Sequence, residues 1–179
     1  LRPRCVIDLQ AVTELQGVSA DDGAIRIGPI SCYAALATET KFDGAYQALR
    51  DAAARVGDRQ VRNRGTIGGS LCWNYVAACM PPVALALNIE MELTSTNGSR
   101  KVLADDFIGG PLETAREDDE ILVSLNLAVA PANTGSAYKK WGLVTDALPV
   151  IGVAIMITTD GSGACTSARV AIGGLGDGP

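Results

Sequence analysis

The residues with the most chemistry per unit length are Gln60-Val61-Arg62-Asn63-Arg64-Gly65-Thr66-Ile67-Gly68-Gly69-Ser70-Leu71. Glycines, arginines, an asparagine and two hydroxyl residues crowd into a stretch with almost no bulky side chain. Glycine lets another group approach the backbone closely. Exposed N–H groups, hydroxyls and guanidinium groups together can cradle a phosphate or pyrophosphate. An ordinary glycine turn between a helix and a strand uses the same residue types, and the residues alone leave both readings open. In the first reading Thr66 and Ser70 donate hydroxyl hydrogen bonds, and Gly68 and Gly69 offer backbone N–H groups. Arg62 and Arg64 would steer charge toward the loop, although Arg62 could equally pair with Asp58 or face solvent.

Other chemistry is sparse. Five cysteines stand at Cys5, Cys32, Cys72, Cys79 and Cys165, none in a C-x-x-C pair, and there is no histidine. Zinc and iron–sulfur sites therefore lack a ligand set. The odd count favours a reducing compartment and free, buried thiols for all five. Asp105 and Asp106 are adjacent; in an extended segment neighbours point to opposite faces and cannot converge on one substrate. Glu117-Asp118-Asp119-Glu120 reads as a solvated charge run before a strand. With 15 basic and 20 acidic residues the net charge is −5, which disfavours a nucleic-acid partner. No apolar run is long enough to span a bilayer, and no signal peptide stands out. Both ends of the chain read as cut within a domain.

The elements that would position the glycine stretch follow from periodicity. A helix is expected from about Asp43 to Val56, with Phe42, Tyr46, Leu49, Ala53 and Val56 forming one apolar stripe and Gly57 a C-cap. It ends where the glycine stretch begins, so that stretch reads as a loop on a packed scaffold. Cys5–Leu9 and Ala24–Ile27 read as short strands around the Asp22-Gly23 turn. Ser31 could cap a short helix over Cys32–Thr38. Leu71 to Tyr75 is ambiguous, and Trp73 reads as core. Pro81 and Pro82 suit the first turn of a helix running to Leu87. Glu90–Ser95 alternates and Asn97-Gly98 signals a hairpin into Lys101–Leu103. Ile121–Val129 alternates, with Ile121, Val123, Leu125 and Leu127 on one face. Beyond a linker at Pro131–Gly135, strands are expected at Val150–Thr158 and Ala164–Ile172. Strands joined by hairpins favour α+β with antiparallel sheets. No G-x-G-x-x-G follows a first strand, which argues against a dinucleotide-binding Rossmann unit.

The stretch Arg62-Asn63-Arg64-Gly65-Thr66-Ile67-Gly68-Gly69-Ser70 also resembles the second flavin-binding signature of the molybdenum hydroxylases, among them carbon monoxide dehydrogenases and xanthine dehydrogenases. Val6-Ile7-Asp8-Leu9, Ile25-Arg26-Ile27-Gly28, Asp106-Phe107-Ile108-Gly109-Gly110 and Ala137-Tyr138-Lys139-Lys140 resemble further stretches of the same family, nearly end to end. The resemblance implies a two-subdomain PCMH-type FAD-binding fold over 1–131, its first glycine motif lying upstream of this sequence. It also implies the start of a small α+β C-terminal domain over 132–179. It implies FAD contacts at Thr66, Ile67, Gly68, Gly69, Ser70, Arg64 and Asn74, and at Cys79, where the family often has an aspartate. A lysine near Lys139 and Lys140 would reach the flavin ring, in a register the sequence leaves open. The family's arginines before the aspartate matching Asp146 are replaced by Leu143 and Val144.

The function implied is that of a cytoplasmic, FAD-carrying electron-transfer subunit with no catalytic or metal-binding residues of its own. It would pass electrons from partner iron–sulfur clusters to an external acceptor. Its partners would be a large molybdopterin-binding subunit and a small [2Fe-2S] subunit, assembled as a dimer of heterotrimers. Two alternatives remain: a single-chain flavin oxidoreductase of a related fold, and an assembly module that keeps the fold without flavin, for which Cys79 speaks.

Overall fold

In the computed structural model, which describes residues 3–144 and 146–175, Asp22 and Gly23 take positive φ and turn β1 (Val18–Asp21) into β2 (Ala24–Ile27). That left-handed pair is the geometry a two-residue hairpin requires. Five helices follow: α1 (Tyr33–Leu36), α2 (Gln47–Ala53), α3 (Arg59–Arg64), α4 (Ile67–Trp73) and α5 (Met80–Leu87). Then come β3 (Glu90–Ser95), β4 (Gly98–Leu103), α6 (Ala104–Phe107) and β5 (Ile121–Leu127). β1 to β5 form one antiparallel sheet in the order β1-β2-β5-β3-β4. The chain ends in β6 (Thr134–Trp141), β7 (Ile151–Thr159) and β8 (Cys165–Gly173), a separate antiparallel meander. Helices packed on all-antiparallel sheets bear out the α+β class.

One apolar core runs through both sheets and the helices between them, from Ile27 and Met91 through Leu49, Met80 and Val83 to Tyr138 and Ala154. Burial of each large side chain contributes roughly 1.5–3 kcal/mol. Polar contacts fix how the meander sits. Ser136 Oγ accepts from Ala48 N at 3.0 Å, and the Arg169 guanidinium donates to Leu85 O at 2.8 Å and to Asp105 at 2.7 Å.

Several expectations need correction. The glycine stretch is not a loop: Asp58 caps α3 by accepting from Val61 N, and Thr66 caps α4 by accepting from Gly69 N at 3.2 Å. Two caps in close succession turn the whole stretch into a helical corner, overriding the poor helix propensity of its glycines. The apolar stripe from Asp43 is helical only over Gln47–Ala53, preceded by 3-10 turns, and Gly57 lies beyond its C-cap Ala54. Cys5–Leu9 forms no strand. Ser31 caps nothing; its hydroxyl accepts from Gly17 N at 2.9 Å. Asp105 and Asp106 lie in α6 rather than in an extended segment. Glu120 is not simply solvated: it accepts a bidentate pair from Arg100, at 2.6 and 2.8 Å, and the Glu117 N–H at 2.8 Å. Cys79 is buried, but Cys5 and Cys165 are exposed and Cys32 and Cys72 half-buried.

The alternation of β5 also breaks. Glu92 pairs with Ser124 but Leu93 pairs with Leu122, so Val123 is the extra residue of a β-bulge. The bulge switches the buried face: Leu122, Leu125 and Leu127 are buried, whereas Ile121 is 46% exposed. Ser124, drawn inward, is satisfied by donating to Glu92 at 2.8 Å.

The glycines of the corner differ in duty. Gly68 N donates to Pro29 O at 2.7 Å, and a Cβ on Gly68 would stand 2.5 Å from Pro29 Cβ and 2.7 Å from Pro29 O. The Gly68→Ala variant is expected to lose about 1–3 kcal/mol of stability by overpacking against backbone, read as a lower urea midpoint. A second expectation concerns acid. The Arg100 hydrogen bond, ahead of the Glu117 N–H, holds the Glu120 carboxyl down at about 2 against an ordinary 4.5. A depressed carboxyl stabilises the fold above its unfolded pKa, and that contribution fades as pH falls from about 4.5 toward 2. Glu120→Gln should therefore lose less stability than wild type across that window in urea titrations, while being weaker at neutral pH.

Candidate functional site

α4 is held at its start by the segment before α1. Cys32 bridges to Thr66, Ile67 N donates to Ser31 O at 3.3 Å and Tyr33 N to Gly65 O at 3.1 Å. With Gly68 N on Pro29 and Gly69 N on the Thr66 hydroxyl, the backbone donors of this turn are committed. Neither Gly68 nor Gly69 thus offers a free N–H, contrary to the sequence reading. What remains is hydroxyl chemistry: Thr66 accepts from Gly69 but keeps its own proton to donate, and Ser70 lies beside the Tyr33 hydroxyl. Burial pushes the Tyr33 hydroxyl up to about 12, a shift its contact with Ser70 only partly offsets, so it is neutral at physiological pH.

Two cavities flank α4. One, of about 500 Å3, is lined by Gly69, Ser70, Trp73, Cys79 and Lys140, with Val56 and Leu148 on its other walls. The second, of about 360 Å3, is lined by Thr66, Gly68, Cys72, Pro29, Leu122 and, again, Gly69. Among the described residues Gly69 is the single position common to both. It is exposed, and a Cβ there would meet nothing within 4 Å except the Thr66 hydroxyl at 2.9 Å. Gly69 therefore lies between the two chambers with no side chain of its own to separate them.

Lys140 and Asp146 are the charged side chains that line the larger cavity among the described residues. Strand alternation decides between the adjacent lysines. Tyr138 and Lys140 share the inward face of β6, and Lys139 points to solvent with Trp141. The Lys140 ammonium donates to Arg55 O at 2.9 Å and to Ala147 O, which fixes it at the cavity edge. Cys79 brings no charge: burial pushes its thiol up, against smaller opposing pulls from the Tyr138 hydroxyl and Lys140. The Tyr138 hydroxyl, buried without a well-formed hydrogen bond, lies against that thiol, and its own pKa is raised by burial.

The candidate residues therefore divide. Thr66, Gly68, Gly69, Ser70, Cys79 and Lys140 line one or both cavities; Ile67, Arg64, Asn74 and Lys139 line neither. Ile67 is in the core, 1% exposed. Arg64 is exposed at the end of α3. Arg62 faces back, donating to Val56 O and Gly57 O. Asn74 is buried as the left-handed C-cap of α4, its Nδ2 donating to Gly110 O at 3.0 Å and Glu113 O at 2.8 Å. Trp73, read as core, is 57% exposed and lines the larger cavity. Its spacing of four from Gly69 and three from Ser70 would have placed it on their side, had the stretch been read as helix.

Comparison with known proteins gives this geometry a context. Residues 1–129 match the family described as FAD binding domain in molybdopterin dehydrogenase. The 6-hydroxypseudooxynicotine dehydrogenase complex subunit alpha of Paenarthrobacter nicotinovorans is 31% identical over 98% of this chain and 59% of its own length. The carbon monoxide dehydrogenase medium chain of Hydrogenophaga pseudoflava is 29% identical over 90% of this chain and 56% of its own. In the solved quinoline 2-oxidoreductase from Pseudomonas putida 86, one chain superposes with a TM-score of 0.89 at 29% identity, covering 99% of this chain and 61% of that one. The chain thus spans less than two thirds of the length of each. With residues 1–129 matched, the α3–α4 corner among them, the chain belongs to the family of FAD binding domains in molybdopterin dehydrogenases.

Proposed function

We propose that this chain holds FAD astride Gly69 and serves as the electron-transfer subunit of a molybdenum-dependent dehydrogenase. The observation that carries the reading is the place of Gly69: two chambers, together sized for a dinucleotide, share a residue with no side chain. The residues fit the group. The hydroxyls of Thr66 and Ser70 stand on either side of Gly69 to donate to a pyrophosphate, and the larger chamber offers apolar walls with few polar groups. FAD, when bound, supplies the capacity to accept electrons and hand them on. The chain's own part is to grip the phosphates, wall the ring from water and set the charge beside it. Lys140, fixed by two carbonyls, would favour added negative charge in the larger chamber and Asp146 on the same lining would oppose it, while the neutral Cys79 thiol does neither. Asn74 would act indirectly, by fixing the end of α4.

The partners belong to the same proposal. Substrate would be oxidised at molybdenum on a large subunit, and electrons would pass through the [2Fe-2S] clusters of a small subunit to this chain and on to an external acceptor. The pairing would be a dimer of heterotrimers. Relatives whose names make them a medium chain or a subunit of a dehydrogenase complex support such an assembly. Residues 1–131 would form the flavin domain, and 132–179 would open a C-terminal domain that contributes Lys140; the separate β6-β7-β8 meander supports that division. Free thiols at Cys5, Cys32, Cys72, Cys79 and Cys165 support a cytoplasmic setting. Among the described residues no helix is long and apolar enough to cross a membrane.

Ser70→Ala separates binding from folding better than Thr66→Ala, because Thr66 also caps α4. A hydrogen bond to a charged group is worth about 1.5–3 kcal/mol, so Ser70→Ala should weaken FAD binding roughly ten- to hundredfold, with a fall in the unfolding midpoint no larger than loss of its contact with the Tyr33 hydroxyl. Gly69→Val should leave little flavin bound, at a stability cost limited to displacing the Thr66 cap hydroxyl that its Cβ would crowd at 2.9 Å. In the assembled enzyme, either change should leave reduction of the metal centres by substrate intact and slow only the flavin-dependent step. Stopped-flow spectra of the metal centres and flavin measure both. Failure of the metal centres to reduce in a correctly assembled complex would contradict the electron-transfer role.

A further inference from the structure

Trp73 is one of two tryptophans in the chain and is 57% exposed, at a place where exposure is not explained by a frayed end. α4 is anchored on both sides of it. Thr66 caps the start, and Asn74 closes the end in a left-handed turn whose side chain holds Gly110 O and Glu113 O. Leu112 N donates to Asn74 O at 3.0 Å and ties the same corner again. An indole left in the open on so fixed a scaffold forgoes a large apolar burial. It also lines the larger cavity, one helical turn beyond Gly69 and Ser70 and on the same side of α4. Tyr75 (39% exposed), Val61 (46%) and Leu148 (59%) line that cavity too, so an apolar slot adjoins Ser70, one of the two residues proposed to meet the phosphates.

We infer that Trp73 is the stacking platform for the isoalloxazine ring of the flavin, an inference that rests on the dinucleotide reading above. Both chambers carry charged groups, Lys140 and Asp146 in one and Arg116 and Glu120 in the other, so the aromatic lining is what assigns the broader ring to the Trp73 chamber. The Trp73 chamber carries the fixed Lys140 ammonium and the Cys79 thiol, groups that can meet the polar edge of an isoalloxazine. Among the described residues that line the other chamber there is no aromatic side chain. Offset stacking of two large π-systems gains beyond the area it buries, and the indole is the broadest side-chain face available. Trp73 therefore touches the cofactor, rather than packing the core or marking an interface with another protein.

The test uses the purified chain with FMN, the isoalloxazine half of the dinucleotide, and ADP, the adenine half. Contact with an indole quenches flavin emission, so FMN bound to wild type and to Trp141→Phe should be dark. In Trp73→Leu its emission should recover and its affinity fall roughly three- to tenfold, the range of an aromatic pair. The unfolding midpoint should not move, because the side chain is exposed. In Trp141→Phe, where Trp73 is the only indole left, ADP should leave tryptophan emission unchanged. Full quenching and wild-type affinity in Trp73→Leu would overturn the inference and return the indole to a protein partner. ADP altering Trp73 emission would equally overturn it, by giving the platform to adenine. If the assembled enzyme that contains this chain carried no FAD, the cofactor reading would fall first, before any variant was made.

Discussion

Everything at the candidate site depends on how closely two backbone segments approach at Gly68. Its N–H reaches Pro29 O at 2.7 Å, with no room for a side chain between them. That approach brings the segment before α1 against the start of α4, and the neighbouring bonds from Ile67 to Ser31 and from Tyr33 to Gly65 follow from it. The hydrogen bonds are individually modest, each worth about a kilocalorie per mole. Their collective effect is geometric: the first turn of α4 has no freedom to slide, and neither do Gly69, Ser70 and Trp73, which its pitch carries to the cavities. Adjacent glycines do opposite jobs. Gly68 is small because backbone lies against it; Gly69, exposed, has only the Thr66 cap hydroxyl close by, 2.9 Å from where its Cβ would stand.

The second constraint comes from the meander. Lys140 enters the larger cavity only because β6 lies on α2, with the Ser136 hydroxyl accepting from Ala48 N and Asp51 accepting from Tyr138 N. The period of two along β6 then sends Lys140 inward and Lys139 outward. One wall of the proposed flavin chamber thus comes from the first sheet's helices and another from the second sheet, so cofactor binding and the docking of the two layers are coupled. A ligand that grips both would stabilise their contact in proportion to its occupancy.

Much of this was legible in the chain. The Asn97-Gly98 and Asp22-Gly23 turns, the proline-led α5, the long strands β7 and β8 and the glycine stretch itself all carry local signals strong enough to survive tertiary context. The parts that were not legible share a cause. Glycines argue against a helix, so Thr66–Ser70 reads as a loop in the sequence, whereas the caps at Asp58 and Thr66 make it helical and bring Gly69 and Ser70 onto one side with Trp73. The bulge at Val123 leaves no mark on a pattern of alternating apolar residues, because both registers place leucines inside. The role of Glu120 depends on Arg100, which lies across the sheet rather than along the chain. The lysine register required knowing which face of β6 meets α2.

The central claim is that the dinucleotide crosses α4 at Gly69, and a crystal structure of the chain with FAD tests it most directly. The account predicts pyrophosphate density over Gly69, within hydrogen-bond reach of the Thr66 and Ser70 hydroxyls, with one ring system in each chamber. Flavin density elsewhere, with Gly69 bare, would contradict it.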